Sequence, residues 1–402
     1  MTSLSVVVPA YNEEGGIADI LHRILAVRPA LAQSGIGDLE LLVVDDGSRD
    51  RTAEIAKGID GVRVVRHGRN RGYGGALKTG FAEAKGELIG FLDADGTYPP
   101  EYFPQLCTRA LNGSDLVIGS RMAGADSEMP LTRRIGNVLF AGLLSLLSSQ
   151  RVTDSASGMR VFRREILDSL YPLPDGLNLT PVMSTRAVHE GIKVAEMPIP
   201  YSERVGRSKL SVVRDGTVFL QSMIWTVLAY NPVRILGMLG LGGLVLAVLL
   251  AAPLVAARLA GVTTLRPWEV AGLFGAMLSA VMGTTLFAVG VMFNYLVSLF
   301  YKRPIRQGLF GRPIFAKPID RHFWWMGLVS ALVGAIIGGA ALALSLTGWE
   351  IARVWLYLLG SALFILNGLQ LVIYWLLVRV LEELSRRELL VQQDRTPGAA
   401  RA

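Results

Sequence analysis

The second half of the chain constrains its fold more than any other feature. Four uncharged stretches, Ile235–Ala257, Val270–Phe300, Phe323–Gly348 and Val354–Val378, follow one another with short charged connections. Each reaches the roughly 20 residues needed to span a hydrocarbon core. A soluble protein seldom carries four such runs in succession, so they read as membrane helices. The overall composition, 51% hydrophobic and 18% charged over 402 residues, is therefore an average of two unlike halves. The expected division is a soluble α/β domain over 1–210, an interfacial helix or linker over 211–232, a four-helix membrane domain over 233–381 and a tail over 382–402.

The basic residues give this arrangement a direction. Between the second and third stretches lie Lys302, Arg303, Arg306, Arg312, Lys317 and Arg321, against Arg258 and Arg266 in the first connection and Arg353 alone in the third. Connections rich in Lys and Arg stay on the cytoplasmic side. With four spans, the N-terminal domain and the C-terminal tail then share that side, as an integral membrane protein of the cell or inner membrane. This loop accounts for part of the net charge of +7, and no nucleic-acid partner is expected. Val6-Val7-Val8, interrupted by Pro9, is too short an apolar run for a signal peptide. The single cysteine, Cys107, excludes an internal disulfide framework and fits a reducing compartment.

In the first half, strands alternate with helices. Ser5–Val8 is a strand ending in Pro9-Ala10-Tyr11-Asn12-Glu13-Glu14, and a helix follows with Ile17, Ile20, Leu21, Ile24 and Leu25 on one face. Glu40–Val44 is a second strand, ending in Asp45-Asp46-Gly47-Ser48-Arg49-Asp50-Arg51-Thr52, and Val62–Val65 a third. Asn70-Arg71-Gly72-Tyr73-Gly74-Gly75-Ala76 leads into a helix, then Leu88–Leu92 delivers Asp93-Ala94-Asp95. Strands that each end in polar loop residues argue a mostly parallel sheet with its ligand along the carboxyl edge. On a continuing strand, side chains two apart share a face, so Asp93 and Asp95 together would make a hard oxygen site for a divalent cation. The competing structural reading of an isolated D-x-D is an edge strand running into an Asx-turn.

The glycines at 72–75 do not have the G-x-G-x-x-G spacing of a dinucleotide fingerprint; they read as a loop that lets backbone approach a phosphate or the neighbouring Asp loop. Asp115–Gly119 is a further strand, followed by Ser120-Arg121. Asn137–Ser148 is an apolar helix of about three turns preceded by Arg133 and Arg134, fit either for the membrane interface or for an ordinary core. A similar apolar segment, Val212–Ala229, is expected along the membrane surface. The histidines His22, His67, His189 and His322 fall in no motif and read as surface or loop residues.

Five elements stand in one order: Pro9-x-Tyr11-Asn12-Glu13, Asp45-Asp46-Gly47-Ser48-x-Asp50-x-Thr52, Asp93-x-Asp95, Gly119-Ser120-Arg121 and Arg204-x-Gly206-x-Ser208-Lys209-Leu210. The combination resembles the family-2 glycosyltransferases of GT-A fold. Within them it is similar to the polyprenyl-phosphate sugar synthases of the dolichol-phosphate mannose synthase type. The resemblance implies that Pro9, Tyr11 and Glu13, with Asp45 or Asp46, hold the base and ribose of a nucleotide sugar, with Asp93 and Ala94 beside them. It implies Asp95 as the carboxylate of a Mg²⁺ or Mn²⁺ ion, with Asp93 next to it. Arg121, Arg133 and Arg134 would face the acceptor phosphate, and Arg204, Ser208 and Lys209 the phosphates at the active centre. Two positions depart from the pattern: Thr97 stands where many lipid-phosphate mannose synthases have a glutamine, and Arg207 where a glutamate is usual.

The chemistry is consistent with that resemblance. A nucleoside diphosphate leaves readily only when its charge is compensated, by a cation and by Lys and Arg donors. A phosphate monoester with a second pKa of about 6 is already largely dianionic at neutral pH and needs orienting arginines more than a general base. The expected reaction is an inverting transfer of one sugar, from GDP-mannose or a UDP-sugar, to a dolichyl or undecaprenyl phosphate. A processive polysaccharide synthase is a rival, but no tryptophan here ends the Gln-x-x-Arg-Trp motif of those relatives. A non-catalytic membrane scaffold that binds nucleotide sugar or lipid is another, opposed by Asp93, Asp95, Arg204 and Lys209. Gly334 and Gly338, four residues apart, allow close helix packing within a chain or between copies in a homo-oligomer.

Overall fold

A computed structural model of the chain describes residues 2–122, 129–147, 150–202, 211–262, 264–301, 318–349 and 351–395. It contains two compact units, Met1–Val227 and Leu228–Ala402.

The first unit is built on a seven-stranded sheet: β1 (Thr2–Ala10), β2 (Ile36–Asp45), β3 (Val62–Arg66), β4 (Leu88–Phe91), β5 (Leu116–Ser120), β6 (Arg160–Arg163) and β7 (Val194–Pro198), in the order β3-β2-β1-β4-β6-β5-β7. β6 runs antiparallel to β4 and β5; the other pairs are parallel. β1 and β2 are longer than their apolar centres predict, and their near-continuous hydrophobic runs are those of strands covered on both faces. Alternation sends Val6, Val8, Leu41 and Val43 into one core with the helix Ile17–Ala26. Val7, Leu42 and Val44 enter the other, with Ala76, Leu77 and Phe81 of the helix Tyr73–Glu83. The chain moves outward from β1 through β2 to β3, then returns to β1's other side at β4. That reversal makes a topological switch point at the carboxyl ends of β1 and β4, the usual place for a ligand in such sheets. Because β6 is antiparallel and pairs Arg160 with Phe91, the loop before it reaches the same edge.

Two amphipathic helices complete this unit. Leu131–Leu147 is 17 residues long and begins six residues earlier than predicted, so Arg133 and Arg134 sit in its first turn instead of ahead of it. It packs on Val212–Tyr230 through Phe140 and Phe219, with ring centroids 6.0 Å apart, and Leu144 and Met223 are buried with Val152 and Val188. Their outward faces are apolar: Leu131, Ile135, Val138 and Leu139 on one helix and Val218, Leu220 and Trp225 on the other are exposed.

The second unit consists of helices Pro232–Leu259, Pro267–Phe300, Phe323–Leu346 and Ile351–Arg395. Four helical segments are long and apolar enough to cross a membrane. The first and second helices meet at glycine: a Cβ at Gly240 would lie 2.6 Å from the Phe287 nitrogen, and one at Gly283 2.8 Å from the Gly240 oxygen. The third and fourth meet likewise, through Gly327 with Gly368 and Gly334 with Ser361. The Ser361 hydroxyl donates to the Gly334 carbonyl, and Ser330 to Phe364, each at 2.7 Å. Gly334 and Gly338 both face Ser361, so their close packing is within one chain. The stretch predicted as a tail is helix as far as Arg395. Where the last helix leaves its apolar stretch, Arg379 pairs with buried Asp320 and with Glu382, and Arg321 lies 3.6 Å from Glu382.

Candidate active site

Two strand-end loops are stitched together by side chains from distant sequence. After β1 the backbone turns through Asn12 at φ 53. The amides of Asn12, Glu13 and Glu14 donate in succession to Ser48 Oγ (2.9 Å), Thr52 Oγ1 (2.9 Å) and Asp50 Oδ2 (3.2 Å). The contacts are returned: Asn12 Oδ1 accepts from the Arg49 amide at 2.9 Å, and Glu14 Oε2 from Arg51 at 3.1 Å. Ser48, Asp50 and Thr52 therefore hold the shape of the Tyr11–Glu14 loop. Pro9 lies in β1 opposite Val44, and Tyr11 and Glu13 are half-buried at the head of the loop.

The paired acids of the second loop have separate tasks. The Asp45 side chain is fully buried; its Oδ1 accepts from the Ser48 amide at 3.2 Å, and Oδ2 lies 3.0 Å from Arg66 Nε, an ion pair without hydrogen-bond alignment. Asp46 accepts from the amides of Arg71 (2.8 Å) and Gly72 (2.9 Å) and lies 2.7 Å from His67 Nδ1. His67 Nε2 in turn lies 2.9 Å from Thr79 Oγ1. Of the histidines read as surface or loop residues, His67 lies in the loop after β3 but is buried, and His189 is buried at the end of the helix Leu179–His189. The glycine cluster, whose Gly72 amide reaches the Asp46 loop, has a second close neighbour. Cβ atoms at Gly72 and Gly74 would stand 2.6 and 2.2 Å from the carbonyls of Asp175 and Pro174, so small residues here admit the 174–175 backbone.

The carboxylates after β4 are half-buried, in a loop whose Leu92, Thr97 and Tyr98 are buried. The strand stops at Phe91, so Asp93 and Asp95 occupy a turn, and strand alternation does not set their directions. Asp95 Oδ1 accepts from the Thr97 amide (3.2 Å) and hydroxyl (2.6 Å), the Asx-turn of the structural reading. Thr97 is 2% exposed and donates to Asp95. Asp93 Oδ1 accepts from the Tyr73 hydroxyl at 2.8 Å. Its Oδ2 lies over Gly158, where a Cβ would be 2.4 Å away. Ala94 between the two acids is buried. Among the described residues no group of three or more His, Cys, Asp or Glu side chains is placed to hold a metal.

Arg121 has a partner that sequence spacing did not indicate. Its Nε and Nη2 form a fork with Asp154 Oδ2 and Oδ1, each at 2.7 Å, and its amide adds a third bond at 3.0 Å. The guanidinium stands 5.8 Å from the Tyr98 ring and 5.4 Å from that of Tyr201. Burial works against the Asp154 carboxylate, yet the Arg121 charge and hydrogen bonds hold it below the usual range. Two of the Arg121 side-chain donors and its charge are thus engaged by Asp154. Arg160 is wholly buried, donating to the carbonyls of Ser157 (3.0 Å) and Ser155 (2.8 Å), and burial pulls its guanidinium down to about 10. The loop 154–160 is consequently one latch against the carboxylate turn.

Arg134 is exposed and Arg133 half-exposed in the first turn of Leu131–Leu147. Arg204, Ser208 and Lys209 lie outside the described residues, as do Lys302, Arg303, Arg306, Arg312 and Lys317. The structure thus unites the Tyr11–Glu14 and Asp45–Thr52 loops and connects Asp46 to Asp93 through residues 71–73; it pairs Arg121 with Asp154. Sequence reasoning missed Tyr73, His67 and Gly158. A tyrosine directly after a positive-φ glycine at a helix start was the available signal, but its partner depends on topology.

The chain is similar to known proteins in both of its halves. Residues 5–171 match the model of glycosyl transferase family 2, and residues 232–392 that of a domain of unknown function, DUF8752. A dolichyl-phosphate hexose transferase of Haloferax volcanii is 34% identical over 221 residues, covering 55% of this chain and 92% of the relative. An undecaprenyl-phosphate 4-deoxy-4-formamido-L-arabinose transferase of Pseudomonas paraeruginosa is 32% identical over 302 residues, covering 73% and 84%. A crystal structure of glucosyl-3-phosphoglycerate synthase from Mycobacterium tuberculosis with UDP aligns at a TM-score of 0.45 and 23% identity, over 56% of this chain and 80% of that one. The chain belongs to glycosyl transferase family 2. It is a glycosyltransferase of GT-A fold, carried by a membrane protein with four candidate spans.

Proposed function

We propose that this enzyme transfers a single sugar from a nucleotide-sugar donor, GDP-mannose or a UDP-sugar, to a polyprenyl phosphate at the cytoplasmic membrane face. The observation that carries the donor half is the linking of two acid loops, Asp45-Asp46 and Asp93-Ala94-Asp95, by residues 71–73 beside the point where the strand order reverses. The acceptor half is supported by the relatives from Haloferax and Pseudomonas, both named for transfer to a lipid phosphate.

The carboxylates suit a divalent ion that arrives with its diphosphate. Mg²⁺-type sites use one or two protein carboxylates plus substrate phosphates and water, and do not need an all-protein cage. Asp95, held by Thr97, and Asp93, held by Tyr73, would hold Mg²⁺ or Mn²⁺, which would compensate the leaving diphosphate's charge. Pro9, Tyr11, Glu13 and the buried Asp45 form the wall for base and ribose. Asp46 acts behind that wall by fixing the Arg71–Gly72 amides. Arg121, held in place by Asp154, orients the acceptor phosphate together with Arg133, Arg134, Arg204, Ser208 and Lys209. The dianionic acceptor then attacks from the face opposite the nucleotide and inverts the anomeric centre. The exposed apolar faces of Leu131–Leu147 and Val212–Tyr230 would rest in the headgroup boundary, with Arg133 and Arg134 at phosphate level.

The test is incorporation. Membranes containing the chain, incubated with labelled nucleotide sugars and polyprenyl phosphate, should yield label in the organic extract for one donor, dependent on added Mg²⁺ or Mn²⁺. No labelled lipid with any donor would reject the proposal.

A further inference from the structure

One short segment touches both acid loops. The amides of Arg71 and Gly72 donate to Asp46 at 2.8 and 2.9 Å, and the next residue, Tyr73, donates its hydroxyl to Asp93 at 2.8 Å. The segment is itself braced. Gly72 holds φ +90, the Gly75 amide donates to the Asp175 carbonyl at 3.1 Å, and Lys78 binds the Leu173 carbonyl at 2.9 Å. Asp93's other oxygen is confined by Gly158, whose amide donates to the Tyr98 hydroxyl at 2.7 Å. The carboxylate therefore has one oxygen on a phenol and the other against a backbone too close to admit a Cβ.

We infer that Tyr73 is a positioning residue that aims Asp93 at the metal–diphosphate group and fixes its spacing from the Asp46 loop. The inference rests on the metal–diphosphate reading proposed above. A partner hydrogen-bonded behind a metal ligand typically contributes about 10–100-fold to metal affinity, because it sets the ligand's direction.

The experiment measures Mn²⁺ bound to the full-length chain by electron paramagnetic resonance, with UDP and, separately, GDP, for the unaltered chain and for Tyr73→Phe. Tyr73→Phe should weaken Mn²⁺ binding about tenfold in the presence of the nucleotide. Nucleotide affinity measured in EDTA should stay within about twofold, since the Asp46 contacts use backbone amides that the substitution leaves in place. Gly158→Ala, which presses on the other oxygen, should weaken Mn²⁺ binding in the same direction and carries the test if the tyrosine variant fails to fold. Unchanged Mn²⁺ binding in a folded variant would overturn the role of Tyr73 while leaving the metal reading intact. An unaltered chain that binds nucleotide but no Mn²⁺ would overturn both.

Discussion

The catalytic edge and the membrane helices satisfy their polar backbone in opposite ways. At the edge, amides of one loop are met by side chains more than 30 residues away, as Asn12, Glu13 and Glu14 are by Ser48, Thr52 and Asp50. In the membrane unit each helix satisfies its own backbone, and neighbours meet where glycine removes the side chain, as at Gly240 with Gly283 and Gly327 with Gly368. The first construction specifies a shape but depends on single polar atoms. The second depends on the absence of atoms. Substitutions that delete should injure the former, and substitutions that add should injure the latter.

The largest deletion effect is expected at the latch. Removing one partner from a buried ion pair leaves an uncompensated charge, so Arg121→Ala or Asp154→Ala should each destabilise the catalytic unit by about 3–5 kcal/mol in denaturant unfolding. The double variant Arg121→Met, Asp154→Leu should lose less than either, because neither charge is then stranded. A loss equal to the sum of the single variants would mean the two residues act independently. The same pair has a pH signature. The Asp154 carboxyl is depressed in the folded chain, so its stabilisation is complete above the unfolded value of about 3.9 and is lost as pH falls through the lower folded value. Asp154→Asn should flatten the acid limb of a stability profile below about pH 4 and leave its slope near neutrality unaltered.

Addition should matter next. Gly334→Val places a Cβ 2.7 Å from the Ser361 carbonyl, and overpacking of this kind costs about 1–3 kcal/mol. Heat-induced loss of the intact membrane unit should occur at lower temperature, with the donor affinity of the catalytic unit unchanged. The smallest effect is expected from Thr52→Val, which removes the acceptor for the Glu13 amide. A net hydrogen bond contributes about 0.5–1.5 kcal/mol, so stability should fall only slightly while KM for the donor rises several-fold. If Thr52→Val lowered kcat with KM unaltered, the stitched loop would not be a donor-binding element.

The same contrast explains what was legible in the sequence. Hydropathy identifies the four spans because each helix is a local object; even so, it ended the last span at Val378, where the helix continues to Arg395 and Arg379 finds Asp320. The α/β order and the five motifs indicated the sheet and its working edge. Partner choice was not legible. Arg121 and Asp154 are 33 residues apart, and their meeting depends on antiparallel β6, which no local signal announces. Tyr73 and Asp93 meet because the helix that Tyr73 begins carries the chain from β3 back past β2 and β1 to β4. The expectation for Asp93 and Asp95 rested on a strand that ends two residues too soon.

The most direct test of the account is transfer by Asp95→Ala, compared with the unaltered chain in membranes given the labelled donor, polyprenyl phosphate and Mn²⁺. Labelled lipid is expected from the unaltered chain, with a loss of about a hundredfold or more in the variant, the scale of removing one charge-stabilising group from a transition state. Full activity in a correctly folded Asp95→Ala chain would contradict it.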